Sequence, residues 1–210
     1  MAEAEFYTTL EGYGRDEFEE KRSLFIGHAA PAKTEDEAMA FIKSKQKEFA
    51  DATHNVWAYY MEGGIKARYS DDGEPQGSSG MPVLDTIRKS GVNDAVVVVT
   101  RYFGGTLLGV GGLVRAYSHA AKIALEAAHI ITYERYSELV LECNYADYQK
   151  LSVELTQLEA IIDGSEFTDK VTVCFAVKKT LSEKLILRFG ELTGGRCTPE
   201  ITGERFDYMR

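Results

Sequence analysis

Apolar positions along the chain alternate between strand-like and helix-like spacing. Residues 5–13 and 22–30 are aromatic and aliphatic clusters that predict two strands, with the acidic stretch Arg15–Glu20 as the turn between them. After Pro31, Thr34 with Glu37 three positions later predicts a helix start of the capping-box type, and Ala38, Phe41, Ile42 and Phe49 continue the helical spacing. His54–Met61 is an aromatic and β-branched run that predicts a strand, and Gly63-Gly64 turns it into a shorter one through Ile65, Ala67 and Tyr69. Asp71-Asp72-Gly73-Glu74-Pro75 has turn chemistry, and Met81, Leu84 and Ile87 predict a helix to about Lys89.

The stretch from Asn93 to His129 dominates the pattern. Ala95–Val99 is wholly apolar with four valines, which suits a strand covered on both faces. Arg101-Tyr102-Phe103 then leads into a loop holding Gly104, Gly105, Gly109, Gly111 and Gly112. From Leu113 the spacing is helical, with one polar stripe of Arg115, His119, Lys122 and Glu126. Beyond residue 132 the order strand, helix, strand, strand, helix, strand matches the βαββαβ arrangement of ferredoxin-like domains. These elements predict an α+β protein of two domains, residues 1–131 and 132–210.

Composition narrows the function classes. A net charge of −9 argues against a surface built for non-specific nucleic-acid binding. The charge is uneven: from Gly63 to Lys122 seven basic residues outnumber five acidic ones, a positive island that favours an anionic partner there. No apolar run approaches the roughly 20 residues that span a bilayer, so no membrane contact is expected. The acidic start lacks the charged leader and apolar core of a secretory signal. Cys143, Cys174 and Cys197 are few and far apart, as in a reduced cytoplasmic protein.

The candidate chemistry clusters around the glycine loop. Gly109–Val114 fails the dinucleotide fingerprint for want of a sixth-position glycine, and no Gly-Lys-Ser/Thr closes a phosphate loop. Arg115, placed in the first helical turn, opposes the helix dipole unless an anion sits there too, and Arg101 at the strand exit is positioned to converge on that anion. Gly77-Ser78-Ser79-Gly80 before a helix offers backbone and hydroxyl donors for phosphate or carboxylate, or supplies only an N-cap. Asp71, Asp72 and Glu74 are three carboxylates without calcium-loop spacing, and no histidine or cysteine spacing fits zinc. No nucleophile elbow occurs. No catalytic residue, metal or cofactor is assigned.

Several of these stretches together resemble the YigZ/IMPACT family. They are His54-Asn55-Val56-Trp57-Ala58-Tyr59; Ser70–Pro75 with Gly77 and Gly80; Arg101-Tyr102-Phe103-Gly104-Gly105; and Leu108-Gly109 with Gly111-Gly112-Leu113-Val114-Arg115-Ala116-Tyr117. The resemblance implies an N-terminal domain with the left-handed βαβ unit of a ribosomal protein and of elongation factor G domain IV. The C-terminal domain would then be similar to domain V of that factor. Eukaryotic relatives bind an activator of the amino-acid-starvation kinase, and bacterial ones are usually inferred to bind nucleic acid or the ribosome. The expectation is therefore a non-enzymatic cytoplasmic protein that engages RNA, the ribosome or a translation-regulatory protein. Its binding face would comprise Arg68, the Asp71–Ser79 segment (Asp71, Asp72, Glu74, Gly77, Ser78, Ser79), Arg101, Tyr102, Phe103, the five loop glycines and Arg115. The alternative is a Mg-dependent, phosphate-handling enzyme with Gly77–Gly80 as its phosphate cradle. The oligomeric state is left open.

Overall fold

The computed structural model describes residues 6–208, which form two compact units: Tyr7–Thr132, and the chain from Tyr133 onward together with Phe6. In chain order the first unit contains strand β1 (Phe6–Leu10), β2 (Gly14–Glu20), β3 (Ser23–Pro31), helix α1 (Glu35–Glu48), β4 (His54–Met61) and β5 (Lys66–Ser70). Helix α2 (Gly80–Lys89), β6 (Ala95–Tyr102) and α3 (Val110–Ala127) follow. Five strands form an antiparallel sheet in the order β2-β3-β6-β4-β5. β3 and β4 thus run parallel on the two sides of β6, with α1 carrying the chain between them.

The valine run explains the layering. From Ala95 to Arg101 every residue of β6 is buried, so the strand serves two cores at once. Val97 and Val99 pack with Phe25, Val56 and Ala58 beneath α2 and α3. Val96 and Val98 pack with Tyr59, Met61, Ala38 and Ile42 beneath α1. Each valine so buried contributes about 1.5 kcal/mol or more. Helix α1 is capped as its sequence predicts: Glu37 N donates to Thr34 Oγ1 at 3.2 Å, and Lys33 N donates to Glu37 Oε2 at 2.7 Å.

Two local readings change. Arg15–Glu20, expected as a turn, belongs to β2, an edge strand whose charged side chains face water and deter further strand pairing. Only Phe18 carries its inward signal, its ring stacked on Phe25 with centroids 5.3 Å apart. The reversal is the pair Lys21-Arg22, both at positive φ (48° and 66°), as a tight two-residue hairpin demands. Helix α3 starts at Val110, ahead of the expected Leu113, and takes Gly111 and Gly112 into its first turn.

In the second unit β7 (Ile130–Cys143), α4 (Tyr145–Gln157), β8 (Ile161–Phe167), β9 (Val171–Lys178), α5 (Lys179–Thr193) and β10 (Glu200–Asp207) follow the βαββαβ order. The strands pair antiparallel as β10-β7-β9-β8. Leu139, Leu141, Val173 and Phe175 of the sheet meet Leu151, Leu155, Leu185 and Phe189 of the helices in one core. Asn144 caps α4 through Asp147 N at 2.8 Å, and Gly194 at φ 61° ends α5. Among the described residues, no helix is long and apolar enough to cross a membrane.

Candidate functional site

Strand parity decides where Arg101 goes. Odd-numbered Val97 and Val99 face α2 and α3, so the side chain at 101 enters the same core. It is opposed by Phe25 on β3 and His54 on β4, and it is only 5% exposed. Its Nη1 donates to Glu74 Oε1 at 2.6 Å and its Nη2 to Ser23 Oγ at 3.3 Å. The guanidinium carbon lies 5.4 Å from the ring centroids of Phe25 and Phe103, within cation–π range. Glu74 Oε1 also accepts from the Tyr117 hydroxyl at 2.8 Å, and His54 Nε2 is 3.8 Å away. Burial, and then the Glu74 charge, push the Tyr117 phenol far above its ordinary range, so it donates and does not ionise. Among the described residues Arg101 Nε has no partner.

The acidic loop is a set of braces. Asp71 Oδ1 accepts from Ser79 Oγ at 2.7 Å, Gly80 N at 2.8 Å and Ser79 N at 3.2 Å, while Oδ2 accepts from Gly77 N at 2.8 Å. Burial alone would raise its pKa, but these four donors outweigh it and hold the carboxyl below the usual range. Asp72 Oδ2 accepts from Asn55 N at 2.6 Å, and the Asp72 carbonyl lies 2.7 Å from His54 Nδ1. A carbonyl only accepts, so Nδ1 carries the proton. Ser78 and Ser79 are both buried, and the Ser78 hydroxyl donates to Pro75 O at 2.6 Å. The three carboxylates therefore face three different protein partners, and the donors of the Gly77–Gly80 turn are already taken, those of Gly77, Ser79 and Gly80 by Asp71 and those of Ser78 by Pro75 O.

The structure does not bring the three arginines to one exposed face. Arg101 is inside the core, paired with Glu74. Arg115 lies in the second turn of α3, where the dipole argument for an anion no longer applies. Its side chain is exposed, without an acidic partner among the described residues, and roughly 200° around the helix from Tyr117. Arg68 on β5 opposes Tyr59, which packs beneath α1, so it lies on the other face of the sheet from Arg101. Tyr102 donates to Asp51 Oδ1 at 2.9 Å, and Phe103 N to Thr53 Oγ1 at 3.0 Å.

The loop glycines divide by role. A Cβ on Gly104 would stand 1.9 Å from the Arg22 carbonyl oxygen, so the chain passes there only without a side chain. Gly105 and Gly109 have φ of 81° and 73°, which glycine tolerates best. Gly111 and Gly112 lie within α3.

What the sequence pattern hid is apolar. Leu107 is 83% exposed and Val110 62%, with Phe103, Val114 and Met81 also in water. Val110 and Val114 are one turn apart on α3, and Val114 and Met81 line one cavity of about 250 Å³. The signal was in plain view: Leu107 and Val110 sit between glycines, outside the strand and the expected helix that would have buried them.

Comparisons with known proteins agree with this architecture. The Impact N-terminal domain matches residues 21–125, and a domain of unknown function (DUF1949) matches residues 141–196. The chain is 34% identical over 194 residues to the IMPACT family member YvyE of Bacillus subtilis, covering 90% of this chain and 88% of that one. It is 35% identical over 150 residues to YigZ of Escherichia coli, covering 70% and 74%. A protein IMPACT homolog of Dictyostelium discoideum is 32% identical over 130 residues, 60% of this chain and 36% of that protein. A crystal structure described only as that of a hypothetical protein superposes with a TM-score of 0.59 at 28% identity, covering 95% of this chain and 98% of that one. The Impact N-terminal domain across half of the chain, together with the match to YvyE along most of both chains, places this chain in the IMPACT family.

Proposed function

We propose that this chain is a non-enzymatic, cytoplasmic binding protein that engages a translation-regulatory protein through the apolar edge of its glycine loop and the start of α3. One observation carries the reading: Leu107, Val110 and Val114 are held in water, and Arg115, next to Val114 in the chain, has no acidic partner among the described residues. Aliphatic side chains so exposed suit a protein surface better than a phosphate backbone, which is bound mainly by cations. The relatives named protein IMPACT support a regulatory role, and three free cysteines suit a reducing compartment. Nothing in the site favours the phosphate-handling enzyme, because Asp71 occupies the turn that would hold the phosphate.

Affinity capture from lysate over a salt series, with RNase-treated and untreated arms, tests this. The expected result is a translation-regulatory protein retained at high salt and after RNase treatment, lost in a Leu107→Asp/Val110→Asp variant and weakened in Arg115→Ala. Retention unchanged in the double aspartate variant would overturn it. Complete loss on RNase treatment would instead identify RNA or the ribosome as the partner.

A further inference from the structure

Helices α2 and α3 lie side by side on the first sheet, and the seam between them is open. Near the glycine loop, Met81, Asp85 and Val114 border a cavity of about 250 Å³. Further along, Lys122, Leu125 and Ile130 border a second of about 440 Å³. Thr86, Lys89 and Ser118 line both, so the two form one furrow. The opening follows from side-chain size: Thr86, Ser90 and Ser118 stand where larger residues would close the seam. The Thr86 hydroxyl donates to Pro82 O at 2.8 Å and the Ser90 hydroxyl to Ile87 O at 2.7 Å. Their donors are used by their own helix, so the floor makes little polar demand on an occupant.

Length and charge specify the occupant. From Val114 to Leu125 the furrow follows twelve residues of α3, whose eleven rises of 1.5 Å span roughly 16 Å, or three helical turns. Lys89 and Lys122 line it with Asp85 and Glu126, while exposed Arg88 follows Asp85 on α2 and exposed Arg115 stands about two turns before Lys122 on the same stripe of α3. Those two carboxylates are held only loosely and in water, Asp85 by Arg88 at 3.6 Å and Glu126 by Lys122 at 3.7 Å. Among the described residues Lys89, like Arg115, has no acidic partner within 4 Å. The edge is thus positive in a chain of net charge −9. Among the described residues no Phe, Tyr or Trp lines either cavity, and the one aromatic ring that does, His119, is packed against Phe18 with centroids 4.6 Å apart, which leaves bases little to stack on.

We propose that this furrow receives an acidic amphipathic helix of a partner protein. Aliphatic side chains at i, i+3 or i+4 and i+7 enter the two cavities, and flanking carboxylates meet Lys89, Lys122 and Arg115. The proposal rests on the reading that the partner is a protein, and adds which segment of it docks and where.

The test is selection of a displayed library of 16-residue helices, randomised on one face, against the full chain, followed by fluorescence anisotropy on the enriched peptides. The proposal expects aliphatic residues at helical spacing flanked by Asp and Glu. Binding should fall at least tenfold in the exposed-surface variant Lys89→Glu/Lys122→Glu and in Ser118→Trp, which fills the furrow. The circular dichroism spectrum of each variant should match that of the parent. Enrichment of basic or non-helical peptides, undiminished binding to both variants, or equal competition by a 12-nucleotide RNA would overturn it. The Leu107→Asp/Val110→Asp variant separates the two readings. If it abolishes partner capture while both furrow variants capture normally, the loop edge is the docking site and the furrow proposal alone fails.

Discussion

Replacing Glu74 by Gln tests whether the buried polar cluster is a closed charge pair. Glutamine keeps the volume and one acceptor for Tyr117, but leaves the Arg101 guanidinium, 5% exposed, without a counter-charge. Breaking a buried pair from one side costs about 3–5 kcal/mol, because the remaining charge stays desolvated. Arg101→Met should cost a similar amount by stranding the carboxylate, with the Tyr117 hydroxyl as its remaining close donor. The double variant removes both charges, so its cost should fall below the sum of the singles by about 2 kcal/mol or more. The sole tryptophan, Trp57, lies on β4 in the first unit, so its fluorescence during urea unfolding reports that unit. Additive losses, or a Glu74→Gln cost under about 1 kcal/mol, would refute the charge-pair account.

His28 predicts an acid-sensitive first unit. It is fully buried beneath α1; Nδ1 is 2.9 Å from the Tyr13 hydroxyl, and Nε2 has no partner among the described residues. Burial first, then Lys45 and Arg15 against the opposing Glu48, lowers its pKa from 6.5 to about 4. The unfolded chain therefore binds this proton first: stability should be complete above pH about 6.5 and fall by roughly 1.4 kcal/mol per pH unit towards 4. Urea midpoints followed by Trp57 should show this slope, and it should flatten in His28→Phe; an equal slope in both would exclude His28 as its source. Gly104→Ala should lower the urea midpoint well beyond Gly105→Ala, since the first forces a Cβ to 1.9 Å from the Arg22 backbone, whereas the second meets nothing within 4 Å and costs only the backbone strain of φ 81°. Asp71→Ala should cost about 2 kcal/mol or more by stranding four donors, and Asp71→Asn less, as read by thermal unfolding. Inorganic phosphate or nucleotide with Mg²⁺ should leave the melting point of the intact chain unmoved; a clear rise would reinstate the phosphate reading.

Period and punctuation carried most of the fold. The Thr34–Glu37 cap, the valine run and the βαββαβ order each depend on neighbours in sequence, and each was legible for that reason. Arg15–Glu20 was not, because an edge strand with one inward residue leaves no alternation to detect. The site failed for a different reason. Arg101 looked like a surface cation at a strand exit because Glu74 and Ser23, its partners, lie 27 and 78 residues before it. Parity was available, since 97, 99 and 101 share one face of β6, and it would also have put Arg68 on the opposite face from Arg101. Many of the residues that carry the family resemblance brace the acidic loop against β4, β6 and α3, with Glu74 bonded to Arg101 and Tyr117 and Asp71 to the turn before α2. Those contacts are satisfied internally, so they fix the surface without being part of it. Leu107, Val110 and the open seam between α2 and α3 are what this bracing leaves in water, and the proposed partner contacts are built from them.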